Sequence, residues 1–187
     1  MKTIHLDFNR DLWLYVPEVW PFNNFANVDE WSETIGKLFS EEAGVAKEMG
    51  DALAVGVRTL ALETPDDESR FIYMGDPFNN VLFVSIIQLA TDESISLEDL
   101  VVANETEVTR PIEVENLVSP GMGKGLRSLR YVDSGDADHS IAAIAQYAWR
   151  RKGLDVVMIA SSFNVVGLLE LLPVVDELAL SVSVVKV

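Results

Sequence analysis

Residues 125–160 read GLRSLRYVDSGDADHSIAAIAQYAWRRKGLDVVMIA, and the spacing of their turns decides the fold. Gly125 to Val132 and Ile141 to Arg151 are long apolar-rich runs joined by the polar loop Asp133-Ser134-Gly135-Asp136-Ala137-Asp138-His139. Gly153 ends the second run, and Leu154 to Ala160 is a third. A parallel crossover takes about a dozen residues or more, so connections this short force antiparallel pairing. Beyond them, Asn164 can cap a helix running to about Leu180, in which Pro173 demands a kink or two shorter pieces. Ser181 to Val187 closes as a strand, completing a strand, strand, helix, strand unit over residues 124–187.

Working outward toward the start of the chain, Ile4, Leu6 and Phe8, then Leu12, Leu14 and Val16, alternate with the period of half-buried strands, and Pro17 and Pro21 stop them. Asn27 followed by Glu30 marks a helix start. Apolar residues then recur every three or four positions from Trp31 to Leu60, with Gly44 dividing the region into two helices. Thr64-Pro65-Asp66-Asp67 is turn chemistry. Phe71 to Met74 and Val81 to Ile87 read as a hairpin around Gly75-Asp76-Pro77-Phe78-Asn79-Asn80. The second of these strands is apolar at almost every position, which predicts a cover on both faces. Ser96 to Asp99 resembles a capping box and opens a short acidic helix to about Glu107. Arg110-Pro111 ends it, Ile112 to Leu117 forms a strand, and Ser119-Pro120-Gly121 turns the chain. The pattern is α+β, an antiparallel β-sheet flanked by helices, expected to form a single domain over residues 1–187.

The segments Gly125-Leu126-Arg127, Arg130-Tyr131, Ala145 to Arg150, Leu154 to Ser161 and Leu169 to Ala179 resemble the C-terminal half of PsbP-like proteins, a group that includes bacterial LpqN-like lipoproteins and related cytoplasmic proteins. The resemblance covers residues 124–187 and implies an α/β/α sandwich that acts by binding partners rather than by catalysis. It brings no catalytic motif, and the lipobox cysteine of the lipoproteins has no counterpart here.

Fourteen basic against thirty acidic side chains leave a net charge of −16, which repels phosphate backbones and anionic surfaces and argues against nucleic-acid binding. Residues 28–68 hold eleven acids against Lys37, Lys47 and Arg58, whereas residues 120–152 gather Lys124, Arg127, Arg130, Arg150, Arg151 and Lys152. No cysteine is present, which removes disulfides, thiolate metal sites and cysteine nucleophiles. The start meets a charge before any apolar run develops, so a cytoplasmic protein is expected. Val156 to Val175 is interrupted by Ser161, Asn164, Glu170 and Pro173, which reads as core and not as a membrane span.

Candidate chemistry is thin. Gly121-Met122-Gly123-Lys124-Gly125 lacks the spacing of a phosphate loop and precedes a strand, so it reads as a turn. Asp133, Asp136 and Asp138 beside His139 lack the spacing of a calcium loop and read as a solvated hairpin tip. His5 and His139 are too few for a transition-metal site. No Gly-x-Ser-x-Gly elbow occurs, and the pairs Glu41-Glu42 and Asp66-Asp67 read as solvated faces. No catalytic, cofactor or metal residue is assigned.

Aromatic and arginine residues remain. Trp13, Trp20 and Trp31, interleaved with Tyr15, Phe22 and Phe25, either lid the core or expose an anchor for a partner. Trp149, with Tyr147 on the same strand face, lies near Arg127, Arg150 and Arg151, and these arginines either meet an acidic partner or pair with the protein's own acidic helices. The candidate partner surface is therefore Trp13, Trp20, Trp149, Arg127 and Arg150. A non-catalytic protein-interaction or scaffold module is expected, open to homo-oligomerisation, with no cofactor, nucleic acid or membrane. The alternative is a small-ligand carrier with a pocket between the sheet and the Trp31–Leu60 helices.

Overall fold

The computed structural model describes residues 2–65, 67–75, 81–135 and 139–186. Asp66, the hairpin residues 76–80, and Asp136 and Asp138 of the expected loop lie outside the described residues.

The strands are β1 (Lys2–Leu6), β2 (Trp13–Val16), β3 (Glu68–Tyr73), β4 (Phe83–Ala90), β5 (Glu113–Ser119), β6 (Gly123–Asp133), β7 (Ile141–Arg151), β8 (Leu154–Ser162) and β9 (Val182–Lys186). The helices are α1 (Val28–Glu42), α2 (Lys47–Glu63), α3 (Leu97–Leu100) and α4 (Val165–Leu180). Seven strands form one antiparallel sheet in the order β2-β3-β4-β8-β7-β6-β5, while β1 and β9 pair with each other in a separate ribbon. The fold is α+β, as the short turns after Val132 and Arg151 require. The closing strand does not rejoin the main sheet as the strand, strand, helix, strand reading implied, because β1 takes it in the register Ile4↔Val184.

Alternate residues of each strand point to opposite faces. Trp13, Phe71, Tyr73, Val84, Ile86, Tyr147, Trp149 and Met158 form one core with Leu168, Leu171, Val175 and Leu178 of α4, and Ile4 and Leu6 of β1 pack against it. On the other face, Val16 and Ile72 are covered by Trp31, Ile35 and Phe39 of α1 and by Leu53, Val57 and Ala61 of α2. Full burial of one such side chain contributes about 1.5–3 kcal/mol. The Asn27 side chain caps α1 by accepting from Glu30 N, and Glu30 reaches back to Ala26 N. Gly44, at φ +60°, turns the chain toward α2. Gly36 and Gly50 lie where the two helices touch, each facing the other's carbonyl oxygen so closely that no Cβ fits.

Two expectations change, and a third resolves between its alternatives. The acidic helix after Ser96 keeps its capping box but stops at Leu100, because Gln146 Nε2 donates to Leu100 O and Ser128 Oγ donates to Val101 O. Those carbonyls are held by the sheet instead of by a further helical turn. Of the two outcomes left open at Pro173, α4 is one helix and not two pieces, and the Pro173 ring stands on the exposed side where the freed Leu169 carbonyl can meet water. β4 is interior but covered on one face only. Its other face lies between the α1–α2 pair and α3, leaving Phe83 41% and Leu89 38% exposed.

Candidate functional site

A cleft of about 540 Å³ opens where the β1–β9 ribbon crosses the β2–β3 end of the sheet. One wall is Thr3, Ile4, His5 and Leu6 of β1 with Phe8 and Arg10, and the floor is Trp13 and Tyr15 of β2 with Ser69 and Phe71 of β3. Phe22 and Asn23 close one end, and Gln88 reaches in from β4. Along the cleft runs a chain of aromatic rings. Phe8 stands edge-on to Phe71 at 5.0 Å between centroids, Phe71 meets Tyr15 at 5.5 Å, and Tyr15 meets Phe22 at 5.9 Å. The run passes from Phe22 to Trp20 and on to Trp31 of α1, so it links the cleft to the helical layer.

The register places these rings. Tyr15 lies opposite Phe71 in the β2–β3 pair, so alternation sends both to the same face. Gln88 anchors the wall by accepting from Ile4 N at 3.1 Å. The Tyr15 hydroxyl donates to Glu18 at 3.0 Å. Burial, reinforced by the negative charge of Glu18 and that hydrogen bond, pushes the phenol up to about 12. It remains a neutral donor at physiological pH. Arg10 and His5 are the basic lining residues, beside the rings, the two amides Asn23 and Gln88, and the hydroxyls of Thr3 and Ser69. This arrangement suits recognition of an apolar or aromatic group by stacking and burial.

The residues singled out in the sequence go elsewhere or play other parts. Trp149 is 0% exposed and offers no partner anchor, whereas Trp13, 3% exposed, reaches the surface only at the floor of the cleft. Trp149 stacks on Tyr147 at 6.1 Å and 11°, and its ring lies over Gly125, where a Cβ would collide. Trp20 is half-buried against Trp31. Arg127 donates to both carboxylate oxygens of Asp176 on α4, at 2.9 and 2.7 Å, and to Glu115 at 2.7 Å. Tyr147 adds its hydroxyl to Asp176 at 2.7 Å, and burial followed by the Asp176 charge raises the phenol strongly. Arg150 donates to Asp155 through Nε and Nη2, both at 2.7 Å, and to the carbonyls of Asp92 and Ile95. Hydrogen bonds from Arg150 outweigh burial and hold the Asp155 carboxyl below the usual range. Of the two readings left open for Trp13, Trp149, Arg127 and Arg150, a joint exposed patch does not form: the tryptophans pack in the core, with Trp13 also at the cleft floor, and the arginines pair within the chain.

The space between sheet and α1–α2 is solid, packed by Trp31, Phe39, Leu53, Val57 and Ile72. The pocket proposed there is replaced by the cleft on the opposite face. Gly121 of the glycine-rich turn packs against Val182 O, and Arg151 donates to Gly121 O, which makes the turn a structural corner. At the β6–β7 hairpin, His139 Nδ1 lies 2.9 Å from Asp133. Among the described residues no group of three or more His, Asp or Glu could hold a metal ion, and no helix is long and apolar enough to cross a membrane.

Ribbon, sheet and helices together define a class: an antiparallel α+β sandwich carrying an aromatic cleft at one end of the sheet. No protein-family model matches the sequence, and no curated protein matches it. Among solved structures, the chain is similar to LpqN of Mycobacterium tuberculosis, described as involved in cell envelope biogenesis. The TM-score is 0.50 at 11% identity, over 100% of this chain and 85% of that chain. The fold is LpqN-like.

Proposed function

We propose that this protein is a non-catalytic protein-interaction module that takes apolar side chains of a partner into the Phe8–Phe71–Tyr15–Phe22 cleft. The ring-lined cleft is the observation that carries the reading, since aromatic surface at a concave site is the composition of binding hot spots. Its supporting counterpart is the state of the carboxylates. Glu68 is pushed up by burial but held low by hydrogen bonds from Arg70 and Ser85, and Asp155 is held low by Arg150. Both are kept ionised in structural roles, whereas a general acid at neutral pH needs the opposite shift. LpqN's involvement in cell envelope biogenesis is compatible with such a role, and the wider PsbP-like grouping is retained as our reading of residues 124–187. A cytoplasmic location is the accompanying proposal, checked by cell fractionation.

The cleft volume of about 540 Å³ also falls within the range of small-molecule sites, about 300–1,000 Å³, which favours a ligand carrier as the second reading. A photo-crosslinker at Asn23, on the exposed rim, separates the two. A protein adduct in source cells that disappears in Phe22→Asp supports the interaction module. A bound mass in native spectrometry that Phe22→Asp abolishes, without protein adduct, supports the carrier. Neither adduct nor bound mass would overturn both.

A further inference from the structure

The edge strand β5 lies at the opposite end of the sheet from the cleft-forming strands β2 and β3. It ends the sheet, pairs with β6 through seven residues without a bulge, and among the described residues no strand pairs with its other edge. Edge strands are normally kept from pairing by shortness, charged side chains, a proline or a bulge, and of these β5 carries only the charges of Glu113 and Glu115. The opposite edge, β2, is four residues long and runs into Pro17. β5 has seven residues, EVENLVS, and its nearest prolines, Pro111 and Pro120, stand outside the strand. Val118 is 70% exposed and Val114 43% exposed on one side of it.

We infer that β5 pairs antiparallel with β5 of a second copy, about a twofold axis perpendicular to the sheet through Asn116. Antiparallel pairing of identical strands about such an axis keeps each face in register, so the residue on the axis determines every other pair. With Asn116 on the axis all seven residues overlap. Val114 lies opposite the partner copy's residue 118, Glu115 opposite residue 117, and Glu113 opposite residue 119. No like charges face each other, and two valine pairs form on one side. Placing the axis on Glu115 or Val114 sets glutamate against glutamate. Placing it on Leu117 shortens the overlap and leaves Val114 without a strand partner. Glu115 and Glu113 are already paired within their own chain, with Arg127 and Arg110 at 2.7 and 2.8 Å. The product is one continuous antiparallel sheet with both α4 helices on the same face. Each copy carries a charge of −16, so long-range repulsion opposes assembly and added salt strengthens it.

The chain has no cysteine, so Asn116→Cys introduces a unique thiol on the axis. Paired residues there sit about 4.5–5.5 Å apart between Cα atoms, within disulfide reach. Oxidation is expected to give a covalent dimer much faster than in Val166→Cys, an exposed α4 control. Sedimentation of the wild type is expected to show a dimer that strengthens with ionic strength, and Val118→Lys, an exposed change, should weaken it about tenfold or more. A wild type that stays monomeric at millimolar concentration overturns the proposal. So does a dimer indifferent to Val118→Lys, or an Asn116→Cys that couples no faster than the control, including the case in which β5 accepts only another protein's strand.

Discussion

Trp149, Gly125 and the Arg150–Asp155 pair show how tightly single positions are fixed on β6 to β8. The Trp149 ring occupies the space a side chain at Gly125 would need, so Gly125→Ala is expected to destabilise by about 1–3 kcal/mol through overpacking. A urea melt followed by tryptophan emission measures it. Asp155 is buried and bound by Arg150 and by Thr91 at 3.0 Å. Its folded-state ionisation is depressed, so its contribution is present in full above the ordinary carboxylate pKa, about 4, and is lost as pH falls through the folded value. Denaturation across that acid range should show stability declining with pH, and Asp155→Asn should flatten the decline. At neutral pH the same change leaves Arg150 with only the more distant Glu93 carboxylate, at 3.7 Å, and should lower stability.

Among the elements, α4 and the α1–α2 pair make opposite demands on their sequences. Pro173 removes one helical hydrogen bond on the exposed side of α4, so Pro173→Ala is expected to stabilise by about 1–3 kcal/mol, read from the urea midpoint. At the α1–α2 contact, Gly36→Ala places a methyl against Gly50 O. It should raise hydrogen exchange in both helices while β6 to β8 stay protected. How much of this the sequence disclosed follows from range. The β6–β7–β8 pairings were legible because each depends on one turn between neighbours, and the α1 start was legible because Asn27 and Glu30 are local. The end of α3 was not, since Gln146 and Ser128 hold its carbonyls from far along the chain. The cleft joins His5, Tyr15, Phe71 and Gln88 from four strands, and no spacing rule spans such distances. One local signal existed: Gln88 is a lone amide in the apolar run from Val81 to Ala90. The arginines left two readings open because charge in a sequence does not reveal whether a carboxylate waits across the sheet, as Asp176 does for Arg127.

For the whole molecule, acidity is the dominant condition. A charge of −16 on 187 residues makes the compact state repel itself, so the thermal midpoint should rise as salt screens that field. A scanning-calorimetry series in sodium chloride checks it, and an unchanged or falling midpoint would contradict it. The β1–β9 ribbon responds to a different agent, mechanical force. Residue 2 lies opposite residue 186 in an antiparallel pair, so tension applied through the two ends of this segment loads the rungs of the ribbon in turn, from Lys2↔Lys186 toward Leu6↔Val182, rather than all together. Such a ladder peels, and peeling lifts one wall of the aromatic cleft while the seven-stranded sheet bears little of the load. Traction on the ends would therefore open the cleft at that wall.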